Sequence, residues 1–363
     1  MDHATVAAYE RSAAEYAARR SAYGADRAEA FAASLGAGRL RLDLGCGPGL
    51  YLGHLGRPLV AADAAQAMVR TAVAAHPDVS GVRGDLTALP FRSDGLAGVW
   101  ASKAHQHVPA AALPGALGEI QRVLPVGGRL ELTMFGHDGS SDTETRITGA
   151  DDDFPDRLFT LWRADALRDV LVGAGFDVDA LTVGAGDWPR LEVRAVRARS
   201  LADTVGPDMR LLVCGLNPSV YSADAGVGYA RPGNRFWPAL RLAGLTALDR
   251  DARGLLHHDG IGMTDLVKRA TVAAAELTRH EYREGLDRVD RLCRLLEPRA
   301  VCFVGLAGWR AAVDRRATVG WQDRRLGDAT PAYVMPSTSG LNARTPPAEL
   351  ADHLATAAAG PTP

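Results

Sequence analysis

Residues 211–219 read Leu-Leu-Val-Cys-Gly-Leu-Asn-Pro-Ser, an apolar run that stops abruptly at glycine, asparagine and proline. A run of this kind is a buried parallel strand, and the polar residues after it form the loop where open α/β sheets keep their sites. Pro218 fixes the backbone just beyond Asn217 and biases Asn217 away from helix, so its amide is presented on a stiff turn. A buried parallel strand needs neighbours and crossover helices. The pattern after it supplies them: helices around 235–245 and 277–296, a strand at 300–305, a helix from Trp309 and a strand at 332–335.

A second strand-to-turn signal lies far upstream. Arg39–Gly49 reads Arg-Leu-Arg-Leu-Asp-Leu-Gly-Cys-Gly-Pro-Gly, a strand entering a Gly-rich turn and then a helix. Glycines let backbone approach a ligand closely, and a helix start behind them offers free N–H groups. A following strand, 58–62, ends in Asp63, whose carboxylate suits both hydroxyls of a ribose. A third strand ends before Gly84-Asp85-Leu86, which places Asp85 within reach of an adenine amino group. Ahead of these strands, residues 4–35 carry an Ala-rich amphipathic pattern with Tyr9, Tyr16 and Tyr23 seven apart, which predicts one or two helices with a packed aromatic stripe.

Two such signals in 363 residues imply two α/β domains. The expected division is 1–198, a linker at 199–208 containing Gly206-Pro207, a second domain at 209–358 and a disordered tail at 359–363. Composition excludes other classes. Hydrophobic residues make up 47% and charged ones 23%, and no apolar run approaches a membrane span. Met1-Asp2-His3 lacks the basic start and apolar core of a signal peptide, so a cytoplasmic location is expected. Cys46, Cys214, Cys293 and Cys302 stand singly, without metal-ligand spacing, and are expected to be buried free thiols; no metal is expected. Net charge is −2, divided as −4 up to residue 200 and +2 after it, so any phosphate-binding surface in the second half is local.

The second half resembles the mismatch-specific uracil/thymine DNA glycosylases of the uracil-DNA glycosylase superfamily. Gly215-Leu216-Asn217-Pro218-Ser219 matches that family's first motif, Pro232–Trp237 its Pro-(Ala/Gly)-Asn-(Arg/His)-Phe-Trp segment, Thr264–Thr271 a Thr-x-x-Val-x-Arg-x-Thr-like segment, and Met335-Pro336-Ser337-Thr338-Ser339 its second motif. The resemblance, over about residues 207–358, implies a three-layer αβα fold with a short parallel sheet. It also implies that an extruded base is held by Gly215, Leu216, Tyr229 and Ser337, with Tyr229 stacking on it, while Asn217 positions the attacking water. Ser339-Gly340-Leu341 would fill the vacated stack with Leu341 as wedge; Arg344, Lys268 and Arg269 are the phosphate or opposite-strand candidates. The implied partner is duplex DNA with a G·U or G·T mismatch, and the glycosylase needs no cofactor. Asn217 is not an acid and cannot act as a base, which implies a slow enzyme that favours uracil, the better leaving group, over thymine. Two features bear on substrate range: Leu306-Ala307-Gly308-Trp309 follows the 300–305 strand where many relatives carry Lys, and Ser337 stands where one branch has Asn.

The first half resembles class I S-adenosylmethionine-dependent methyltransferases, with a Rossmann-like fold, over about residues 8–198. Asp43-Leu44-Gly45-Cys46-Gly47-Pro48-Gly49 corresponds to their first motif, and Glu119-Ile120-Gln121-Arg122-Val123-Leu124-Pro125-Val126-Gly127-Gly128 to the helix and turn before strand five. The implied cofactor is S-adenosyl-L-methionine, held by Asp43, Gly45, Gly47, Gly49, Asp63, Asp85 and Leu86. The methyl acceptor is unknown. In-line methyl displacement depends on positioning and exclusion of water, so the acceptor need leave no signature. His105 and His107, after the fourth strand, are candidate bases or ordinary loop residues; Ser140–Glu144 and Asp151–Asp153 read as a solvated loop or lid. The functional expectation is a bifunctional base-excision-repair glycosylase and methyltransferase. The alternative keeps the methyltransferase, acting on a nucleic acid or small molecule, and makes the second half a non-catalytic DNA-binding module.

Overall fold

The computed structural model describes residues 1–342 and 344–361. They form two compact units: Met1–Val172 with Phe176–Ala198, and Gly173–Gly175 with the chain from Arg199 onward.

In the first unit the Ala-rich segment forms two helices, α1 (His3–Arg19) and α2 (Ala25–Ser34). Asp2 caps α1 by accepting from the Thr5 N–H at 2.7 Å, and Gly24, at φ +70°, makes the left-handed turn between the helices. Tyr9 and Tyr16 pack edge to face, whereas Tyr23 falls beyond α1 and is half exposed. There follow β1 (Arg41–Leu44), β2 (Leu59–Asp63), α3 (Gln66–Ala75), β3 (Ser80–Arg83), β4 (Gly98–Ser102), α4 (Leu113–Val123), β5 (Arg129–Phe135), β6 (Thr143–Ile147), β7 (Leu158–Trp162), α5 (Ala164–Gly173), β8 (Phe176–Val183) and β9 (Arg190–Arg197). The sheet order is β3-β2-β1-β4-β5-β9-β8, with β1 to β5 parallel and β9 antiparallel to both its neighbours. The order reverses between β1 and β4, so the crevice at their C-terminal ends is where a ligand fits.

Residues 140–162 are more ordered than the expected loop. Leu158–Trp162 is apolar and almost wholly buried, its backbone groups need partners, and Thr143–Ile147 supplies them as the other strand of an antiparallel ribbon. Within this insertion Asp152 pairs with Arg157 at 2.6 Å.

The second unit contains β10 (Leu211–Gly215), α6 (Val220–Ala225), α7 (Phe236–Leu242), α8 (Ala252–Asp259), β11 (Ile261–Asp265), α9 (Arg279–Leu296), β12 (Val301–Val304), α10 (Leu306–Ala312), β13 (Gly320–Leu326), β14 (Thr330–Met335) and α11 (Pro347–Ala359). The order β11-β10-β12-β14-β13 is parallel except for β13, an antiparallel edge strand. Its sequence, Gly-Trp-Gln-Asp-Arg-Arg-Leu, has the polar character of an edge and carries no strand signal of its own. Phe236, Trp237 and Leu240 of α7 and Leu350 and Leu354 of α11 bury against Leu211, Val213, Cys302 and Met335. Each such side chain contributes on the order of 1.5–3 kcal/mol. A capping box starts α9: Thr278 accepts from the Glu281 N–H, and Glu281 accepts from the Thr278 N–H. All four cysteines are free and buried.

Residues 199–208, expected as a linker, belong to the second unit. Thr204 bridges Met263 through two backbone hydrogen bonds of 2.9 and 2.8 Å. Asp203 is buried, accepting from Thr264 Oγ1, Lys268 Nζ and Arg288 Nη1, each at 2.7 Å. Gly206-Pro207 registers as a chain breaker locally; the long-range ion pairs that order its surroundings are invisible to that reading. At the other end α11 continues to Ala359, and Thr362 and Pro363 of the expected tail lie outside the described residues. Among the described residues no helix is long and apolar enough to cross a membrane.

Candidate active sites

In the second unit β10 and β11 lie in register, Gly215 beside Asp265, and their loops stay together beyond the sheet. Leu266 N–H donates to Gly215 O at 2.8 Å, Val267 N–H to Leu216 O at 2.9 Å, and Thr271 N–H to Pro218 O at 3.2 Å. Across this seam the Asn217 Nδ2 donates to Pro218 O at 3.1 Å, Arg269 O at 3.0 Å and Thr271 Oγ1 at 2.8 Å. Two of those partners are carbonyls, which only accept, so the amide nitrogen must face them. The amide oxygen is left as an acceptor for something outside the loop.

Tyr229 stands opposite. Its φ of +58° is a left-handed conformation, its ring stacks on Phe236 with centroids 4.0 Å apart and planes 21° from parallel, and its hydroxyl reaches over Gly215. A Cβ at position 215 would come within 3.0 Å of that hydroxyl and 2.3 Å of Asp265 Oδ1. Glycine is required by that crowding. The buried Tyr229 hydroxyl has no hydrogen-bond partner among the described residues.

A third loop, after β14, closes the arrangement. Ser337 Oγ accepts from the Ser339 N–H at 3.2 Å, and Asn342 Nδ2 donates to Ser337 O at 2.8 Å. The Arg235 guanidinium donates to the carbonyls of Ser339 (3.1 Å), Asn342 and Thr345 (2.6 Å), while its backbone N–H donates to Thr338 O. Gly340 lies against the Gly233 carbonyl, and the braced tip presents Leu341 with 94% of its surface exposed.

In the first unit the Gly-rich turn and Asp63 build one pocket. Asp63 accepts from Gly47 N–H and Ala65 N–H, both at 2.9 Å, one on each carboxylate oxygen. Gly45, Gly47 and Gly49 all have positive φ, and a Cβ on Gly45 would collide with the Ala104 side chain. Asp43, beneath the turn, is 1% exposed and its Oδ2 has no partner; burial, then the neighbouring Asp63 charge, push its carboxyl up to about 8. A cavity lined by Gly45, Gly47, Asp63, Leu86, Ser102 and Tyr9, among others, opens above them. Met1 also lines it, and next to Leu86 the Asp85 Oδ1 accepts from Thr87 N–H and Oγ1 while Asp85 Oδ2 accepts from the Met1 ammonium at 3.2 Å.

Family comparison divides the chain in the same way. Residues 42–128 match the model of a methyltransferase domain, and residues 202–357 match that of the uracil DNA glycosylase superfamily. The chain is a fusion of these two domain families. Solved structures similar to it include a SAM-dependent methyltransferase from Methanosarcina mazei, 15% identical, covering 49% of this chain and 99% of that one, with a TM-score of 0.42. Another is an S-adenosylmethionine dependent methyltransferase from Mesorhizobium loti, 19% identical, covering 48% and 100%, with a TM-score of 0.38. A third is the Burkholderia thailandensis 1,6-didemethyltoxoflavin-N1-methyltransferase, 21% identical, covering 48% and 78%, with a TM-score of 0.39.

Within the glycosylase-superfamily domain, Gly215, Leu216, Asn217, Tyr229 and Ser337 all lie on loops or strand ends at the C-terminal edge of the parallel strands, and Leu341 on the braced loop. Lys268 is different: expected at a phosphate surface, it is buried with its ammonium 2.7 Å from Asp203. A lysine so enclosed stays only with a counter-charge, and Asp203 provides it. Arg269 is exposed but bonded to Glu281 Oε1 at 2.7 Å and to Glu276 O at 3.0 Å. Arg344, three residues after Leu341 on the same loop, is exposed, as a phosphate or opposite-strand contact requires. Nothing local in the sequence singles out Arg235 or Asp265; the available signals are the Asn-Arg-Phe-Trp segment for the first and a strand-end acid beside Gly215 for the second.

Within the methyltransferase domain His105 and His107 are buried in a tight turn after β4, not in an open loop, and burial pulls both down to about 4. His107 Nδ1 faces the Leu158 carbonyl at 2.7 Å, so Nδ1 carries the hydrogen and Nε2 accepts from the Tyr9 hydroxyl at 2.9 Å. His107, which lines the cavity, already has its basic nitrogen occupied.

Proposed function

We propose that the second domain is a cytoplasmic DNA glycosylase that hydrolyses the N-glycosidic bond of uracil, and less readily of thymine, mispaired with guanine in duplex DNA. The orientation of the Asn217 amide carries this reading. With Nδ2 committed to three acceptors, Oδ1 accepts from a water and aims it at C1′ of a nucleotide turned out of the stack. Tyr229, backed by Phe236, forms the wall on which the base stacks. As the C1′–N1 bond breaks, its electron pair leaves with the base; the water oxygen bonds to C1′ and its proton ends on the departed base. Asn217 orients the water without taking its proton, so rate depends on the stability of the base anion, and uracil leaves more easily than thymine.

Leu341 supports the same reading. A leucine held out in water on a loop braced by Arg235 forgoes its burial, unless a duplex with a vacated position receives it. Replacing Leu341 with Ala is expected to slow excision from a G·U duplex about tenfold while leaving uracil excision from single-stranded DNA unchanged, since a single strand has no stack to plug. Single-turnover release of uracil by the full chain, with both substrates, checks this. No abasic product from either substrate would overturn the glycosylase reading and leave a DNA-binding module.

We further propose that the first domain binds S-adenosyl-L-methionine and methylates an acceptor whose identity is open. The residues fit that cofactor: Asp63 retains a lone pair on each oxygen for ribose hydroxyls, the side-chain-free turn at Gly45 and Gly47 admits a close approach, and Asp85 already accepts from an ammonium where an adenine amino group would sit. Bound there, the cofactor supplies a methyl group for in-line displacement. Asp63→Ala is expected to weaken cofactor binding at least about tenfold, measured by calorimetry with the full chain. It also frees the N–H groups of Gly47 and Ala65, so the melting temperature is measured beside it.

A further inference from the structure

Asp265 is the last residue of β11, and nothing in the proposed chemistry so far uses it. Its backbone carbonyl accepts from Arg288 Nη2 at 2.6 Å, which fixes the residue at the strand end. Its carboxyl group has no hydrogen-bond donor among the described residues, although it is half-buried and crowds Gly215, the residue two before Asn217. The Tyr229 hydroxyl converges on the same point and is also unpartnered. Two polar groups without partners, on either side of a required glycine at the mouth of the Asn217 loop, mark a place where a ligand supplies the missing bonds.

The surrounding charges leave Asp265 as the group that titrates there. Lys268, three residues on, and Arg288 of α9 both point their charge at Asp203, which burial would raise but these two cations hold low and ionised. Tyr229 and, on β10, Cys214 are pushed up by burial and remain protonated. Asp265 itself is pushed up to about 6, chiefly by burial, with Lys268 and Arg288 opposing and Asp203 adding to the rise.

We propose that Asp265 lines the base pocket, donating a hydrogen bond from its protonated carboxyl to a carbonyl oxygen of the extruded pyrimidine, and repelling the departing base anion when ionised. The proposal rests on the glycosylase reading and modifies one expectation from it: the pocket does contain an acid, beside the amide and not in place of it. The electron pair of the broken C1′–N1 bond is delocalised onto the base oxygens as the base leaves. A donor at that oxygen stabilises it, and the proton stays on Asp265. A carboxylate at the same place is a like charge in a poorly solvated site. Excision is therefore gated by pH: the active form is present below about 6 and is lost as pH rises through that value.

The test is single-turnover uracil excision from a G·U duplex by the full chain between about pH 5 and about pH 8, comparing wild type with Asp265→Asn and Asp265→Ala. Wild type is expected to slow by about tenfold or more across that range. Asp265→Asn, a permanently neutral donor of the same shape, is expected to lose that dependence and to exceed wild type at about pH 8. Asp265→Ala, without charge or donor, is expected to be as flat but slower than wild type at about pH 5. An Asp265→Asn profile that falls as wild type does, or a variant slower than wild type at the alkaline end, overturns the proposal. If wild type releases no uracil at any pH, the glycosylase reading fails on its own. Affinity for a duplex carrying non-hydrolysable 2′-fluoro-deoxyuridine opposite guanine then decides the role of Asp265: tighter binding at low pH in wild type but not in Asp265→Asn supports it, and the same pH dependence in both overturns it.

Discussion

Uracil excision from a G·U duplex falls about 10²–10³-fold when Asn217 is replaced by Ala, the expected cost of removing one pre-aimed polar group from a solvent-excluded site. The effect is on the chemical step, because the Asn217 side chain is hydrogen-bonded to Pro218, Arg269 and Thr271 and not to the stacking wall or the wedge. Some stability is lost as well: its amide nitrogen ties the β10 loop to Arg269 O and Thr271 Oγ1, and each net hydrogen bond contributes about 1 kcal/mol. Asn217→Asp separates the two roles. A carboxylate keeps the shape but cannot donate to Arg269 O or Thr271 Oγ1 in its ionised form, so it loosens the seam while still offering oxygen to water. Single-turnover rates beside thermal melting of the full chain distinguish the cases. A rate for Asn217→Ala equal to wild type would sink the assignment.

Asp203→Ala has the larger effect on stability. It removes the carboxylate that Lys268 and Arg288 both contact, and their side chains are only 7% and 5% exposed, so two buried cations lose their ion-pair partner. Breaking a buried ion network from one side costs about 3–5 kcal/mol. The unfolding free energy of the second unit is expected to fall by that amount, seen as a lower denaturant midpoint in the fluorescence of Trp237 and Trp309, which are buried in it. The pH dependence follows from sign. Asp203 is held below the usual carboxylate range, so its contribution is complete above about pH 4 and is lost as pH falls through the lower folded value. Wild type and Asp203→Asn should therefore converge in strong acid and differ at neutral pH. An unchanged midpoint at neutral pH would mean that the two cations find other partners.

Much of the architecture is legible along the chain because its signals are local. Leu211–Ser219 and Arg39–Gly49 each place an apolar strand directly before residues that cannot continue it, and the parallel sheets form around those strands. The less legible parts depend on distance in sequence. Lys268 reads as an outward cation because its partner Asp203 is 65 residues away, in a segment whose Gly-Pro pair reads as a linker. The edge strand Gly320–Leu326 is hidden by its polarity, and the ribbon of residues 143–162 by an acidic turn.

The second site divides along the same line. Sequence by itself determines that Asn217 follows a buried strand on a stiff turn, that Tyr229 and Leu341 lie on loops, and that no acid occupies position 217, because strand, turn and motif spacing are properties of neighbouring residues. Tertiary structure alone decides which way the Asn217 amide faces, since its orientation is set by a carbonyl and a hydroxyl 52 and 54 residues on. It alone decides that Lys268 faces inward, that Arg235 braces the Leu341 loop across more than a hundred residues, and that Asp265 stands unpaired beside Gly215. Burial, counter-charge and register act between elements, and only their assembly gives those side chains a direction.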